Sequence, residues 1–293
     1  MSTMKGRFMS DINAEAFVAR FSRFGSDPTP ARYLDLFDSE GTVQHPGMAR
    51  PLAGEEIRGF ISTVLSGMPD FRLRPLRWCG RGDRVFVEAV SSGSVGQARA
   101  IWPAVYCLTL RGERVIRGRS YYDRAQIVAQ LERANKAGAS LGEEISAEAS
   151  HSEDRLDMSA VETNLIKPYV EAWRDPQPER IAGFYAPGGC ALVPGIGHPL
   201  SGTDIADYYR SRLAEIDALQ QHCEAYAVSP GLVFFEWRMR GAIAGRTFDV
   251  GAAERLTLEG FRIAESAGYF DTLSFEALRD PSAASRTIFE LAK

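Results

Sequence analysis

Pro51-Leu52-Ala53-Gly54 and Pro199-Leu200-Ser201-Gly202 are one turn written twice, 148 residues apart. Outward from it at the same spacing, Asp27-Pro28-Thr29-Pro30 falls on Asp175-Pro176-Gln177-Pro178, and Val85-Phe86-Val87-Glu88 on Val233-Phe234-Phe235-Glu236. Leu108-Thr109-Leu110 falls on Leu256-Thr257-Leu258, and Tyr121-Tyr122-Asp123 on Tyr269-Phe270-Asp271, with no gap needed. Positions 27–129 share about two dozen identities with their partners, where composition alone gives roughly six or seven. A repeat of this length implies two copies of one domain. The expected limits are 11–132 for the first copy and 159–280 for the second, with a C-terminal extension at 281–293. The linker, 133–158, is rich in Ala, Ser, Gly and Glu and has no aromatic residue, as a solvated helix end and connector should be.

Within each copy the apolar spacing changes from helical to strand-like. Phe17, Val18, Phe21 and Phe24 recur at three and four residues, as do Leu165, Ile166, Tyr169 and Trp173, which predicts an amphipathic helix at the head of each copy. A short helix carrying Tyr33 and Phe37 follows, then a strand near 42–45 and a helix over 55–65 that opens on Glu55 and Glu56, as the helix dipole favours. Segments 72–78, 84–92, 100–110 and 114–122 then alternate apolar and polar residues between glycine-containing turns, which predicts antiparallel strands. Helices first and strands afterwards make the fold class α+β, not a parallel α/β sheet.

Composition bounds the function. At 293 residues, 45% hydrophobic and 25% charged, the chain has ordinary globular values. A net charge of -4 without any Lys/Arg block argues against nucleic acid as a partner. The longest apolar run, Ile101 to Leu110, is too short to cross a bilayer, and residues 1–10 contain no apolar leader; the expected location is the cytoplasm, without a membrane partner. Cys79, Cys107, Cys190 and Cys223 form no CxxC pair and the histidines are dispersed, so neither disulfides nor a metal is expected. No glycine-rich phosphate loop is present, and no cofactor is expected.

The order of elements, with Thr42-Val43-Gln44-His45-Pro46-Gly47, Pro51-Leu52-Ala53-Gly54-Glu55-Glu56-Ile57-Arg58, Met68-Pro69-Asp70-Phe71 and Arg119-Ser120-Tyr121-Tyr122-Asp123, resembles the SnoaL-like polyketide cyclases. These belong to the nuclear transport factor 2-like superfamily, which also holds ketosteroid isomerase, limonene epoxide hydrolase and scytalone dehydratase. The resemblance implies two tandem cone-shaped α+β barrels, each a curved, mainly antiparallel sheet wrapped around about three helices and an apolar pocket. It does not fix a reaction, because the superfamily hosts several chemistries and non-catalytic binders alike.

Carried over residue by residue, the resemblance puts His45 where ketosteroid isomerase-like members have their general base; the same place in the second copy is Val193. A histidine can both take and return a proton near neutral pH. The oxyanion-hole tyrosine falls on Phe21 and Tyr169, and the strand aspartate on Tyr106 and Glu254. The expected catalytic set in the first copy is therefore His45, Tyr106 and Arg119, in a pocket of Phe17, Phe21, Met48, Trp78, Trp102 and Tyr121 that suits a small hydrophobic or aromatic substrate. The plainer readings are a His at a strand end, an aromatic core residue and an exposed strand arginine. The second copy is expected to be degenerate or structural, with Tyr169, Glu254 and Arg255 as its candidates; Glu254 buried against Tyr169 would have a raised pKa and serve as an acid. By the two-residue strand period, Glu88 and Glu236 point away from the pocket toward an interface. Asp123 and Asp271 read as strand-end or helix-capping residues. The expected function is cofactor-independent proton transfer, as an isomerase, cyclase or lyase on a polyketide-like compound. The alternative is a non-catalytic binding or interaction module. The copies are expected to pair as an internal pseudo-dimer, with a homodimer of chains left open.

Overall fold

The computed structural model describes residues 13–137 and 157–285. The first copy runs α1 (Ala14–Ser26), α2 (Pro30–Asp35), β1 (Phe37–Gln44), β2 (Leu52–Ala53), α3 (Glu55–Gly67), β3 (Arg72–Arg81), β4 (Arg84–Val95), β5 (Ala98–Arg111), β6 (Arg114–Tyr121) and α4 (Arg124–Ala137). The second opens with a helix in three parts: α5 (Met158–Val161), a π-helical turn Glu162–Ile166, and α6 (Lys167–Ala172). It continues with α7 (Pro178–Ala182), β7 (Tyr185–Leu192), β8 (Leu200–Ser201), α8 (Thr203–Glu215), β9 (Asp217–Ser229), β10 (Leu232–Ile243), β11 (Arg246–Glu259), β12 (Arg262–Tyr269), α9 (Thr272–Arg279) and a 3-10 turn Pro281–Ser285. Most of the linker expected at 133–158 lies outside the described residues.

Each copy builds one six-stranded sheet, in the orders β2-β1-β6-β5-β4-β3 and β8-β7-β12-β11-β10-β9. All pairs are antiparallel except β1 with β6 and β7 with β12. Both sheets are open, with β2 and β3, or β8 and β9, at their edges, so each cone is the expected curved, mainly antiparallel sheet around helices, without closure of the sheet on itself. The repeated turn has a local cause. Gly54 and Gly202, between a short strand and a helix, have φ of +53° and +55°, a region that only glycine enters without steric cost. Asn13 caps α1 by accepting from the Ala16 N–H, and Thr29 caps α2 ahead of Pro30, the preferred start for a short helix.

The copies diverge at their last helix. α4 is 14 residues long and packs Ile127, Leu131 and Ala134 into the first core. Gln130 fixes it there through two hydrogen bonds with the Ile101 backbone, of 2.9 and 2.8 Å. α9 has eight residues and buries only Leu273; Pro281 follows two residues after its end, where a helix cannot readily continue. α4 thus adds three side chains to the first core, whereas α9 puts Thr272, Phe275, Glu276 and Arg279 on the wall of a cavity in the second copy.

The outer sheet faces pack on each other around Phe86, Val105 and Cys107 from one copy and Ala227, Phe234 and Ala253 from the other. Phe86 stacks on its own repeat partner Phe234, with centroids 5.9 Å apart. Two hydrogen bonds cross this seam in mirror fashion: Tyr121 donates to Glu236 at 2.8 Å and Tyr269 to Glu88 at 2.6 Å. The countercharges break the symmetry. Arg119 of β6 lies 2.7 Å from Glu236, whereas Glu88 meets Arg255 of β11 at 3.3 Å and Arg77 at 2.9 Å. At the seam's end each copy caps the other's last helix. Asp271 accepts from the Arg124 N–H, and Asp123 accepts from the Ala125 and Thr272 N–H groups and the Thr272 hydroxyl. Asp123→Ala is therefore expected to cost about 1–2 kcal/mol in urea unfolding, the value of a helix cap; unchanged stability would show the reciprocal caps to be idle.

Candidate functional site

The first cone holds a cavity of about 100 Å³ with His45, Tyr106, Phe21, Trp102, Ser91 and Tyr122 on its walls. His45 follows β1, and its ring packs against Phe60, with centroids 4.6 Å apart, and Tyr122, 6.1 Å apart. Its Nε2 lies 3.4 Å from the Tyr33 hydroxyl, and its Nδ1 is enclosed without a hydrogen-bond partner. Burial holds its pKa down to about 4, so the imidazole is neutral at ordinary pH. Across the cavity Tyr106 lies 3.5 Å from Ser91 Oγ, and burial raises its pKa to about 12. His45 and Tyr106, paired from sequence, thus face one space, but that space is well below the few hundred Å³ of an ordinary ligand pocket.

The second cone holds a cavity of about 380 Å³. On its wall sits Glu254 of β11, 8% exposed. Tyr169 donates to Oε1 at 2.8 Å and the Trp237 indole N–H to Oε2 at 3.1 Å. Desolvation raises the carboxyl's pKa to about 7, against these two donors, which lower it. A carboxylate has about four lone-pair positions, so two remain for a third group. The rest of the wall is mainly apolar, with aliphatic side chains such as Leu213, Ile216 and Ile243 beside the aromatic Trp173, Tyr208, Tyr209, Trp237 and Phe248. At the rim Glu215 of α8 binds Arg212 at 3.2 Å and Arg279 of α9 at 2.5 Å. The π-turn, a distortion frequent at functional sites, comes just before Tyr169 on the same helix.

Several expected pocket residues lie elsewhere. Arg119 and Tyr121 are in the seam between copies, bound to Glu236, because of one β-bulge. Counted straight from the hairpin pair Arg111–Arg114, Tyr121 would oppose Ala104, and Arg119 would oppose Tyr106, on the inner face. A register shift at Thr109–Leu110 instead sets Tyr121 opposite Val105 and Arg119 opposite Cys107, on the outer face, since a one-residue slip exchanges faces. Arg255 follows Glu254 in the same strand and so points outward to Glu88. Trp78 is 40% exposed. Met48 sits in the turn after His45, its sulfur 3.4 Å from the His45 N–H, and Phe17 is core, stacked on Phe21. Phe21 and Trp102 do line the first cavity. Tyr122 and Trp237 were missed, although strand alternation from Glu236 already turned Trp237 inward.

Among the described residues no three His, Cys, Asp or Glu side chains gather as a metal site, and no helix is long and apolar enough to cross a membrane. The profile of the SnoaL-like domain family matches the chain twice, at residues 14–118 and 166–266. No protein with a curated description matches. Solved structures that resemble it cover one copy's worth of chain. One is a ketosteroid isomerase-like protein from Catenulispora acidiphila in complex with trimethylamine, at 23% identity and TM-score 0.38, over 40% of this chain and 92% of that one. Another is a nuclear transport factor 2-like protein from Burkholderia pseudomallei, at 18% and 0.38, over 41% and 97%. A third is IdmH, a candidate polyketide cyclase from Streptomyces antibioticus, at 15% and 0.38, over 41% and 99%.

Proposed function

The chain belongs to the SnoaL-like domain family through both of its copies, and from that premise we propose that it is a cofactor-independent acid/base catalyst working in the second copy. The observation that carries this reading is Glu254, a buried carboxyl with a pKa near 7 on the wall of a cavity of about 380 Å³. Near neutral pH such a group is present in both forms, so it can take a proton from carbon as carboxylate and return it as acid. Tyr169 and Trp237 hold its two oxygens in place, which spares the reaction that ordering. The apolar, partly aromatic wall suits a small cyclic or polyketide-like compound. The chemistry is enolisation next to a carbonyl, leading to isomerisation or aldol-type cyclisation. The first copy, with its smaller cavity and low-pKa His45, supports the second through the seam.

The test needs no known substrate. Wild-type protein should catalyse exchange of the α-protons of 1-tetralone in deuterated water, read by NMR, with a rate that rises as pH passes about 7 and Glu254 ionises. His45→Ala should keep most of that rate and Glu254→Gln should lose it. The reverse pattern would move catalysis to the first copy. No exchange by wild type on a panel of cyclic ketones would favour the non-catalytic binding module.

A further inference from the structure

The second cavity has charged residues at its mouth, apart from Glu254. Arg212 and Glu215, in the last turn of α8, and Arg279, the last residue of α9, line its wall. Their side chains are nonetheless 45%, 39% and 43% exposed, so they stand at the opening, whereas Glu254 at 8% and Trp237 at 2% lie deep. The two guanidinium groups, one from each helix, converge on a single atom. Arg212 Nη1 donates to Glu215 Oε2 at 3.2 Å, and Arg279 Nη2 donates to the same oxygen at 2.5 Å. Neither contact is the two-bond fork of a fully matched arginine and carboxylate. The other donors of both arginines make no hydrogen bond to any described residue, although each guanidinium carries five N–H groups.

Glu215 is poorly suited to hold this place permanently. It is the last residue of α8, where the helix dipole disfavours an acid, and an ion pair this exposed contributes little. Turning it out into water leaves two guanidinium groups, from two helices, aimed at one carboxylate position on the cavity wall. Glu276, the other acid at this opening, is exposed and lies outside the arrangement. We infer that Arg212 and Arg279 clamp the carboxylate of a ligand whose apolar ring fills the second cavity, and that Glu215 holds the two arginines until that carboxylate displaces it. The ligand class is a cyclic or aromatic acid. The inference rests on the second cavity being the site proposed above and narrows its substrates, but it does not need Glu254 to act as a base.

The probes are naphthalene-2-carboxylate, its neutral amide and naphthalen-2-ylmethylammonium, alike in ring but different in charge. In calorimetric titration at pH 6 and low salt, the carboxylate should bind at least about tenfold more tightly than the amide. Arg212→Gln and Arg279→Gln should each weaken the carboxylate about tenfold, the worth of one charge-assisted hydrogen bond, and leave the amide unchanged. Glu215→Gln removes the competitor and should tighten the carboxylate about threefold. Equal binding of carboxylate and amide, or arginine variants that weaken both alike, would overturn the clamp. So would weaker carboxylate binding by Glu215→Gln, no carboxylate binding at millimolar concentration, or a preference for the ammonium, which would give the mouth to Glu276. Repeating the titrations in Glu254→Gln separates this inference from the acid/base reading. If the arginine effects persist there while wild type exchanges no α-protons, the clamp stands and the base does not. If wild type exchanges the α-protons of 1-tetralone but binds the carboxylate no better than the amide, the base stands and the clamp does not.

Discussion

Glu254→Gln is expected to reduce catalysed α-proton exchange by about 10²–10⁴, the usual worth of a positioned acid/base group, and at the same time to make the protein more stable above pH 7. The sign follows from proton binding. Glu254 ionises near 4.5 when free and near 7 when folded, so between these values the folded state keeps a proton that the unfolded chain has released. Stability therefore falls as pH rises through that window, by about 3 kcal/mol in total. Glutamine has no such proton to lose. An amide fits the two donors much as the protonated carboxyl does, so the variant should match wild type at pH 4 and exceed it by about 3 kcal/mol at pH 8. His45 acts in the opposite sense, because its pKa falls from 6.5 to about 4 on folding. The folded state refuses a proton that the unfolded chain accepts, so stability drops as pH falls through that window. In wild type the two slopes oppose each other. In thermal unfolding Glu254→Gln should expose the His45 slope, and His45→Leu the Glu254 slope. A Glu254→Gln variant no more stable than wild type at pH 8 would mean that the carboxylate is folded without penalty, and the assignment of Glu254 would fail.

Arg255→Met should give the largest loss of stability of any single change discussed, about 3–5 kcal/mol. The side chains of Arg255 and Glu88 are 2% and 5% exposed, so removing the arginine strands a carboxylate between two sheets, with Arg77 and Tyr269 as its remaining partners. Adding Glu88→Gln removes the stranded charge and should recover a large part of the loss, because an intact buried pair contributes little net and a broken one is costly. The exposed pair Arg58–Glu55, with side chains 52% and 86% exposed, is the control, and Arg58→Ala should change stability by less than about 1 kcal/mol. Urea unfolding checks all three. If Arg255→Met costs no more than Arg58→Ala, the seam is not holding the copies together through its charges.

The repeat made the two-domain α+β organisation legible, because selection for one backbone leaves the same turns and apolar spacings at a fixed distance; the Gly54 and Gly202 turns require glycine wherever the fold occurs. Strand alternation likewise put Glu88 and Glu236 on the face between copies, and the family position put His45 and Tyr106 on one cavity and Tyr169 beside Glu254. Three matters lay beyond the chain as text. The bulge at Thr109–Leu110 carries no distinct residue signature, and with a period of two it sends Arg119 and Tyr121 to the opposite face. The difference between the cavities, about 100 and 380 Å³, arises among side chains far apart in sequence, with α4 packed into the first core and α9 on the wall of the second cavity. The pKa of Glu254 comes from burial among side chains far apart in sequence, since the low polarity around a carboxyl is a property of the assembled wall. Sequence determined that there are two copies of one domain and which residues are candidates; tertiary packing decided that the cavities differ in size and which carboxyl is buried enough for its pKa to rise to about 7.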